Sequence, residues 1–92
     1  MIQHIESKHY NEIKNKTDYQ RWCDNNGYNS QELTIGQVIQ CISEQGIFLE
    51  IKHFKNGWSI FDYSQPETPT NKPSVQDDLI EALWGVVKTL FL

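Results

Sequence analysis

The sequence predicts a small α+β domain in which helices pack on one face of a β-hairpin. Two β-rich runs, residues 47–54 and 58–63, flank Asn56-Gly57, which is the strongest short-range hairpin signal. Amphipathic helical patterns lie on both sides of these runs. Because a lone hairpin is marginal in water, the helices are expected to cover one of its faces. The predicted order is α-α-β-β-α, with a long amphipathic helix at the C-terminus.

The 92 residues suffice for one domain, and residues 1–92 are predicted to form it. Residues 64–73 are polar and interrupted by prolines, with no apolar side chain to anchor them. They are predicted to be a flexible linker that leads to the C-terminal helix.

The first sixteen residues fit two local structures. Residues 1–5 could form a short edge strand. A helix is the alternative, because four side chains recur at helical spacing: Ile2, Ile5, His9 and Ile13.

Two further helices have recognisable ends. Thr17 and Gln20 resemble a capping box that begins one helix, and Gly27 is placed to end it in a left-handed conformation. Thr34 begins the next helix with a capping box to Gln37, and Gly46 supplies the stop. The buried stripe of this second helix is predicted to be Ile35, Val38, Ile39 and Ile42.

The hairpin allows two registers. A two-residue turn pairs Lys55 with Trp58, and it places on one face Ile47, Leu49, Ile51, Trp58 and Ile60. A three-residue turn with a bulge at Gly57 pairs Phe54 with Trp58, and it groups on one face Ile47, Leu49, Ile51, Phe61 and Tyr63. The second register is preferred, because it leaves together on the solvent side Glu50, Lys52 and Asp62.

The C-terminal helix is predicted to begin at Ser74, which forms a capping box with Asp77. Its apolar arc spans roughly 200°, whereas packing on a single core needs about 100°. Three side chains are surplus to an intramolecular core: Ile80, Trp84 and Phe91. A patch of this kind would approach the size that monomers rarely expose, so the helix is expected to form a homodimer about a two-fold axis. In the competing interpretation, residues 1–16 fold back over this face within one chain.

Trp58, at the hairpin edge, is a further candidate for an interaction residue, because exposed aromatic side chains commonly anchor interfaces. The predicted interaction residues are therefore Ile80, Trp84, Phe91 and Trp58.

The net charge of −4 argues against electrostatic binding to nucleic acid or to an anionic membrane. The first residues lack the apolar core of a signal peptide, and no window reaches transmembrane length. We therefore expect a cytoplasmic protein without membrane contact. Cys23 and Cys41 are then expected to be reduced thiols that fill the core.

No motif for catalysis is present. The histidines His4, His9 and His53 are dispersed, and there is no C-x-x-C, no H-E-x-x-H and no glycine-rich phosphate loop. A nucleophile needs a base, and a base needs an orienting partner. We therefore expect neither an enzyme nor a cofactor or metal site.

A winged-helix DNA-binding regulator is the alternative function. A helix at residues 34–45 followed directly by a hairpin is typical of the last half of that fold. The exposed face of this helix argues against it, because Gln37, Gln40 and Glu44 supply no cation for phosphates or guanine edges.

The second half of the chain combines residues 47–63 with their central G-W, the polar linker and the ending D-L-I-E-A-L-W-G-V-V-K-T-L. In these features it resembles short orphan proteins encoded by phages and prophages of low-GC bacteria. The resemblance implies no activity, but it favours a bacterial cytoplasmic protein that modulates a host or phage machine. The sequence therefore predicts a non-catalytic protein that acts through protein–protein contact.

Overall fold

The described part of the chain forms three helices, an antiparallel hairpin and a further helix. The structure is a computed structural model that describes residues 3–65, 68–69 and 75–92. Its elements are α1 (Ser7–Ile13), α2 (Thr17–Asn26), α3 (Ile35–Glu44), β1 (Phe48–Phe54), β2 (Gly57–Gln65), β3 (Thr68–Pro69) and α4 (Leu79–Phe91). The predicted α+β class is confirmed, with one more helix than the predicted order and a two-residue third strand.

The N-terminal segment combines both of its predicted structures. The Ile5 amide donates to the Leu33 carbonyl at 2.9 Å, and the Ile35 amide donates to the Gln3 carbonyl at 3.0 Å, so this segment is extended. Helix α1 follows it and buries His9 and Ile13. The chain therefore begins by bridging to the start of α3 and then turns into a helix. Ile2 lies outside the described residues.

The helix ends were predicted with mixed success. The capping box of α3 is confirmed, because the Gln37 amide donates to Thr34 Oγ1 at 3.2 Å and Gln37 Oε1 accepts the Thr34 amide at 3.0 Å. Gly27 has φ +70 after α2 and Gly46 has φ +81 after α3, as expected of left-handed helix ends. The capping box at Thr17 is wrong, because Thr17 already belongs to α2 and the cap residue before it makes no side-chain bond.

Helix α4 begins at Leu79, later than predicted. The cause is a backbone bridge to the hairpin: the Trp58 amide donates to the Gln76 carbonyl at 2.7 Å, and the Gln76 amide donates back to Trp58 at 2.8 Å. Gln76 is therefore held as a strand residue and cannot lie in a helical turn. The proposed cap Ser74 lies outside the described residues.

The preferred hairpin register is wrong. Phe54 pairs with Gly57, so Lys55 and Asn56 occupy the turn. Ile51 pairs with Ile60, so the side chains share faces as in the first of the two predicted registers. The two-residue turn, however, lies one residue earlier in the sequence than the predicted Asn56-Gly57. Gly57 explains the difference, because it has φ +145 and its backbone lies directly against Gln76.

The core lies between the helices and one face of the sheet. Helix α4 packs on α1, on α3 and on β2, and α3 also packs on β1. The strand order is β1-β2-β3, so β2 is central and β1 is an edge strand. Of the predicted linker, residues 64–65 complete β2 and residues 68–69 form β3, and its other residues lie outside the described part of the chain.

Candidate functional site

The patch predicted on the C-terminal helix is covered within one chain. Ile80 is fully buried and Trp84 is 1% exposed, so the prediction that they form surplus surface is wrong. The Trp84 ring makes edge contacts with His9 of α1 at 5.9 Å and with Tyr19 of α2 at 5.8 Å. Phe91 is half-buried, and its ring lies 5.8 Å from that of Tyr19. The wide apolar arc of α4 is therefore explained within one chain, because α1 and the Tyr19 ring of α2 cover the part of it that α3 and β2 leave open.

His9 is the central polar residue of this interface. Its Nδ1 accepts the Glu6 amide at 2.9 Å, so Nε2 carries the hydrogen and donates it to Glu81 at 2.8 Å. The same Glu81 oxygen is 2.9 Å from Lys8 Nζ. Both ring nitrogens of His9 are thus occupied, and neither is available as a general base.

Glu81 makes the stability of the α1–α4 contact depend on pH. The hydrogen bond from Lys8, and after it the one from His9, holds the pKa of the Glu81 carboxyl below its usual 4.5, in spite of partial burial. The folded state therefore favours the carboxylate. The resulting stabilisation is present above pH 4.5 and is lost as the pH falls through the lowered pKa.

We expect Glu81→Gln to flatten this part of the acid-unfolding profile, because the amide oxygen still accepts a hydrogen bond but does not titrate. Melting temperatures from neutral pH down through the acid limb provide the measurement. Glu32→Gln controls for the loss of one exposed carboxylate. Parallel profiles for wild type and Glu81→Gln would contradict the assignment.

The two cysteines offer no reactive thiolate. Cys23 and Cys41 are free and buried. Burial raises the pKa of the Cys23 thiol and raises that of Cys41 to about 12. At neutral pH both therefore stay protonated, and the thiolate is the form that acts as a nucleophile.

Among the described residues, the exposed large hydrophobic side chains are concentrated on β1. Three of its side chains are exposed although they are large and hydrophobic: Phe48 at 54%, Ile51 at 38% and Phe54 at 42%. We call these three residues the β1 edge surface. Beside it runs an open groove of about 440 Å³ between β1 and α3, whose lining includes Ile39, Ile47, Leu49 and Ile51.

The position of β1 in the sheet explains this exposure. One edge of β1 pairs with β2, and no backbone partner for its other edge lies within the described residues. Phe48 and Phe54 point to the opposite face from Leu49, which packs against the core with α3. Helices cover the face that carries Leu49, so Phe48 and Phe54 on the other face remain in contact with solvent. Ile51 shares a face with Leu49, and it is exposed where it lines the open groove.

Sequence reasoning missed the β1 edge surface, although a signal for it was present. Residues 48–54 carry apolar side chains at both odd and even positions, so covering one face leaves some of them exposed in either register. Of the predicted residues, Trp58 is half-buried, stacks on His53 at 4.1 Å and is bridged to Gln76. It lies in β2 and not at the open edge.

The polar face of α3 is occupied by contacts within the chain. Gln40 accepts the Tyr28 hydroxyl at 2.7 Å and donates to Glu44 at 2.7 Å. Glu44 also accepts the indole N–H of Trp22 at 3.1 Å. These bonds hold α3 against α2 and the loop that follows it, which is the side a recognition helix would have to present to DNA.

Comparisons with protein-family models, with curated proteins and with solved structures find no match. In the described ranges, no three His, Cys, Asp or Glu side chains form a group that could hold a metal ion. No helix in those ranges is both long enough and apolar enough to cross a bilayer.

Proposed function

We propose that the protein is a small non-catalytic binding protein that acts through protein–protein contact at the β1 edge surface. The observation that carries the proposal is β1 itself, a seven-residue edge strand in which every residue except the half-buried Leu49 is exposed. Open strand edges are templates for pairing with another chain, and extended peptides commonly bind by adding a strand to such an edge.

The apolar groove supports this function. It lies between β1 and α3, so an added strand would place alternate side chains beside it. The occupied nitrogens of His9 and the protonated thiols favour binding over catalysis. The proposal retains the setting that the sequence predicts, a phage or prophage protein in a bacterial cytoplasm.

The double variant Phe48→Lys/Phe54→Lys tests the proposal, since both side chains are exposed and their replacement spares the core. Immobilised wild type and variant are incubated with nuclease-treated lysate of the organism that encodes the protein. We expect the variant to retain its partner about tenfold less well or worse, as for loss of interface aromatics. Quantitative mass spectrometry of the retained proteins provides the readout.

Leu92→Lys is the matched control, because Leu92 is also an exposed large apolar residue at 63% but lies outside β1. It should retain the same proteins as wild type. Equal retention by all three proteins would contradict a role for β1. A parallel incubation with untreated lysate covers the alternative: proteins retained from untreated lysate but lost after nuclease treatment would favour the winged-helix DNA-binding function instead.

A further inference from the structure

We propose that the partner of the β1 edge is a second copy of this chain, paired antiparallel across a two-fold axis at Ile51. The proposal rests on the proposed function and names the occupant of the same surface. It joins two three-stranded sheets into one six-stranded sheet, in the order β3-β2-β1-β1-β2-β3.

The hydrogen-bonding pattern of the sheet shows which backbone groups are free to pair. Trp58 bonds to Gln76 on the side of β2 that faces away from β1. The pair of His53 with Trp58 is therefore a non-hydrogen-bonded pair of the β1–β2 ladder. Because the two kinds of pair alternate along an antiparallel ladder, Ile51 and Leu49 also belong to non-hydrogen-bonded pairs. The amides and carbonyls of these three residues point to the open edge, where no backbone partner lies among the described residues.

A two-fold axis at Ile51 matches these groups with each other. Ile51 then faces Ile51 of the second copy, and Leu49 faces His53 in both directions. The backbone groups of all three residues point to the open edge. The pairing therefore contains three hydrogen-bonded residue pairs with two bonds each, which gives six backbone hydrogen bonds. Every residue of β1 takes part.

The side chains of β1 are self-complementary in this register. The strand reads F-L-E-I-K-H-F, with one phenylalanine at each end and a Glu and a Lys on either side of Ile51. Across the axis, Glu50 faces Lys52 of the second copy twice, and Phe48 faces Phe54 twice. These are non-hydrogen-bonded pairs, in which facing side chains approach most closely.

Other symmetric registers are less favourable. An axis at residue 50 sets Glu50 against Glu50, and an axis at residue 52 sets Lys52 against Lys52; like charges directly opposite destabilise a sheet. Axes further along the strand leave part of β1 unpaired. Within one chain, Lys52 Nζ lies 3.6 Å from Glu50 Oε1. With the two-fold axis at Ile51, both residues keep this ion pair, and each also faces a side chain of opposite charge on the second copy.

The same pairing covers the β1 edge surface. Phe48 and Phe54 meet on the open face, and the two Ile51 side chains meet on the face that carries the groove. The pairing therefore buries apolar side chains on both faces of β1. Each copy contributes the same residues, as a two-fold interface requires.

Two charge reversals test this register without touching the core. Glu50→Lys alone and Lys52→Glu alone each replace two attractive pairs by two repulsive ones, so each should weaken self-association about tenfold or more. When the two variants are mixed, every position 50 again faces an opposite charge at position 52. The mixture should therefore associate as tightly as wild type. Sedimentation velocity over a concentration series measures all four samples.

Each outcome decides the proposal. Concentration-dependent dimers of wild type, monomers of each variant and restored dimers in the mixture support it. A wild type that stays monomeric at hundreds of micromolar overturns it, as do variants that associate like wild type or a mixture that is not restored. The function proposed above is judged separately: if the wild type stays monomeric but captures a different protein through Phe48 and Phe54, binding at β1 is upheld and the second copy is excluded as its partner.

Discussion

A Trp84→Glu variant is expected to yield little folded protein at room temperature. Trp84 is 1% exposed between α1 and α2, so a carboxylate there would be buried without a partner at a cost of several kcal/mol. Loss of the indole adds about 3–5 kcal/mol, against a total stability of about 5–15 kcal/mol for a domain. Circular dichroism and amide proton dispersion provide the measurement.

Trp84→Phe is the matched control. It keeps an aromatic ring and removes the indole N–H, which has no hydrogen-bond partner among the described residues. Its cost should be far smaller than that of Trp84→Glu, because the lost volume is partly offset by the removal of a buried unsatisfied donor. A Trp84→Glu protein that folds and sediments as a monomer would mean that the ring lies at a surface covered by a second copy.

The second large effect is expected at Gly57. A Gly57→Ala change should lower the free energy of unfolding by about 2–5 kcal/mol, from left-handed backbone strain and from overpacking together. Gly57 has φ +145, and an added Cβ would collide with the Gln76 carbonyl oxygen and lie 3.0 Å from Val75 Cγ1. Urea unfolding monitored by tryptophan fluorescence measures the change.

Two other glycines separate the contributions. Gly27 has φ +70 with open space around it, so Gly27→Ala measures left-handed strain without a collision. Gly85 lies inside α4 with nothing nearby, and Gly85→Ala should stabilise by about 0.5–1 kcal/mol. A Gly57→Ala protein no less stable than Gly27→Ala would show that Gln76 does not lie against the turn.

Local signals predicted local structure well. The α3 capping box at Thr34 and the left-handed end at Gly27 depend on residues within one helical turn, and both are present as expected. The start of α4 and the hairpin register were wrong for a shared reason. Both depend on the bridge between Trp58 and Gln76, whose partners are far apart in sequence and which no local pattern signals.

The candidate site was harder to predict than the fold. The apolar excess of α4 was recognised, but its meaning depended on where α1 packs. An overfull helix can be covered by another segment of its own chain or by a second copy, and periodicity is the same in both cases. For β1, by contrast, the sequence already shows a phenylalanine at each end of residues 48–54 and opposite charges on either side of Ile51. This order gained meaning only once the structure placed the strand at the open edge of the sheet.

The central place of Trp84 also sets the order of events during synthesis. The ring that joins α1 and α2 comes from α4, so those helices have no completed core until α4 has left the ribosome. The β1–β2 hairpin leaves the ribosome before α4, so the apolar side chains that α4 covers are exposed until then. At about 5–20 residues per second, the nascent chain passes through this state within seconds. Hydrophobic surface exposed in that interval is what a nascent-chain chaperone binds, so the fold is expected to be completed only once α4 has left the ribosome.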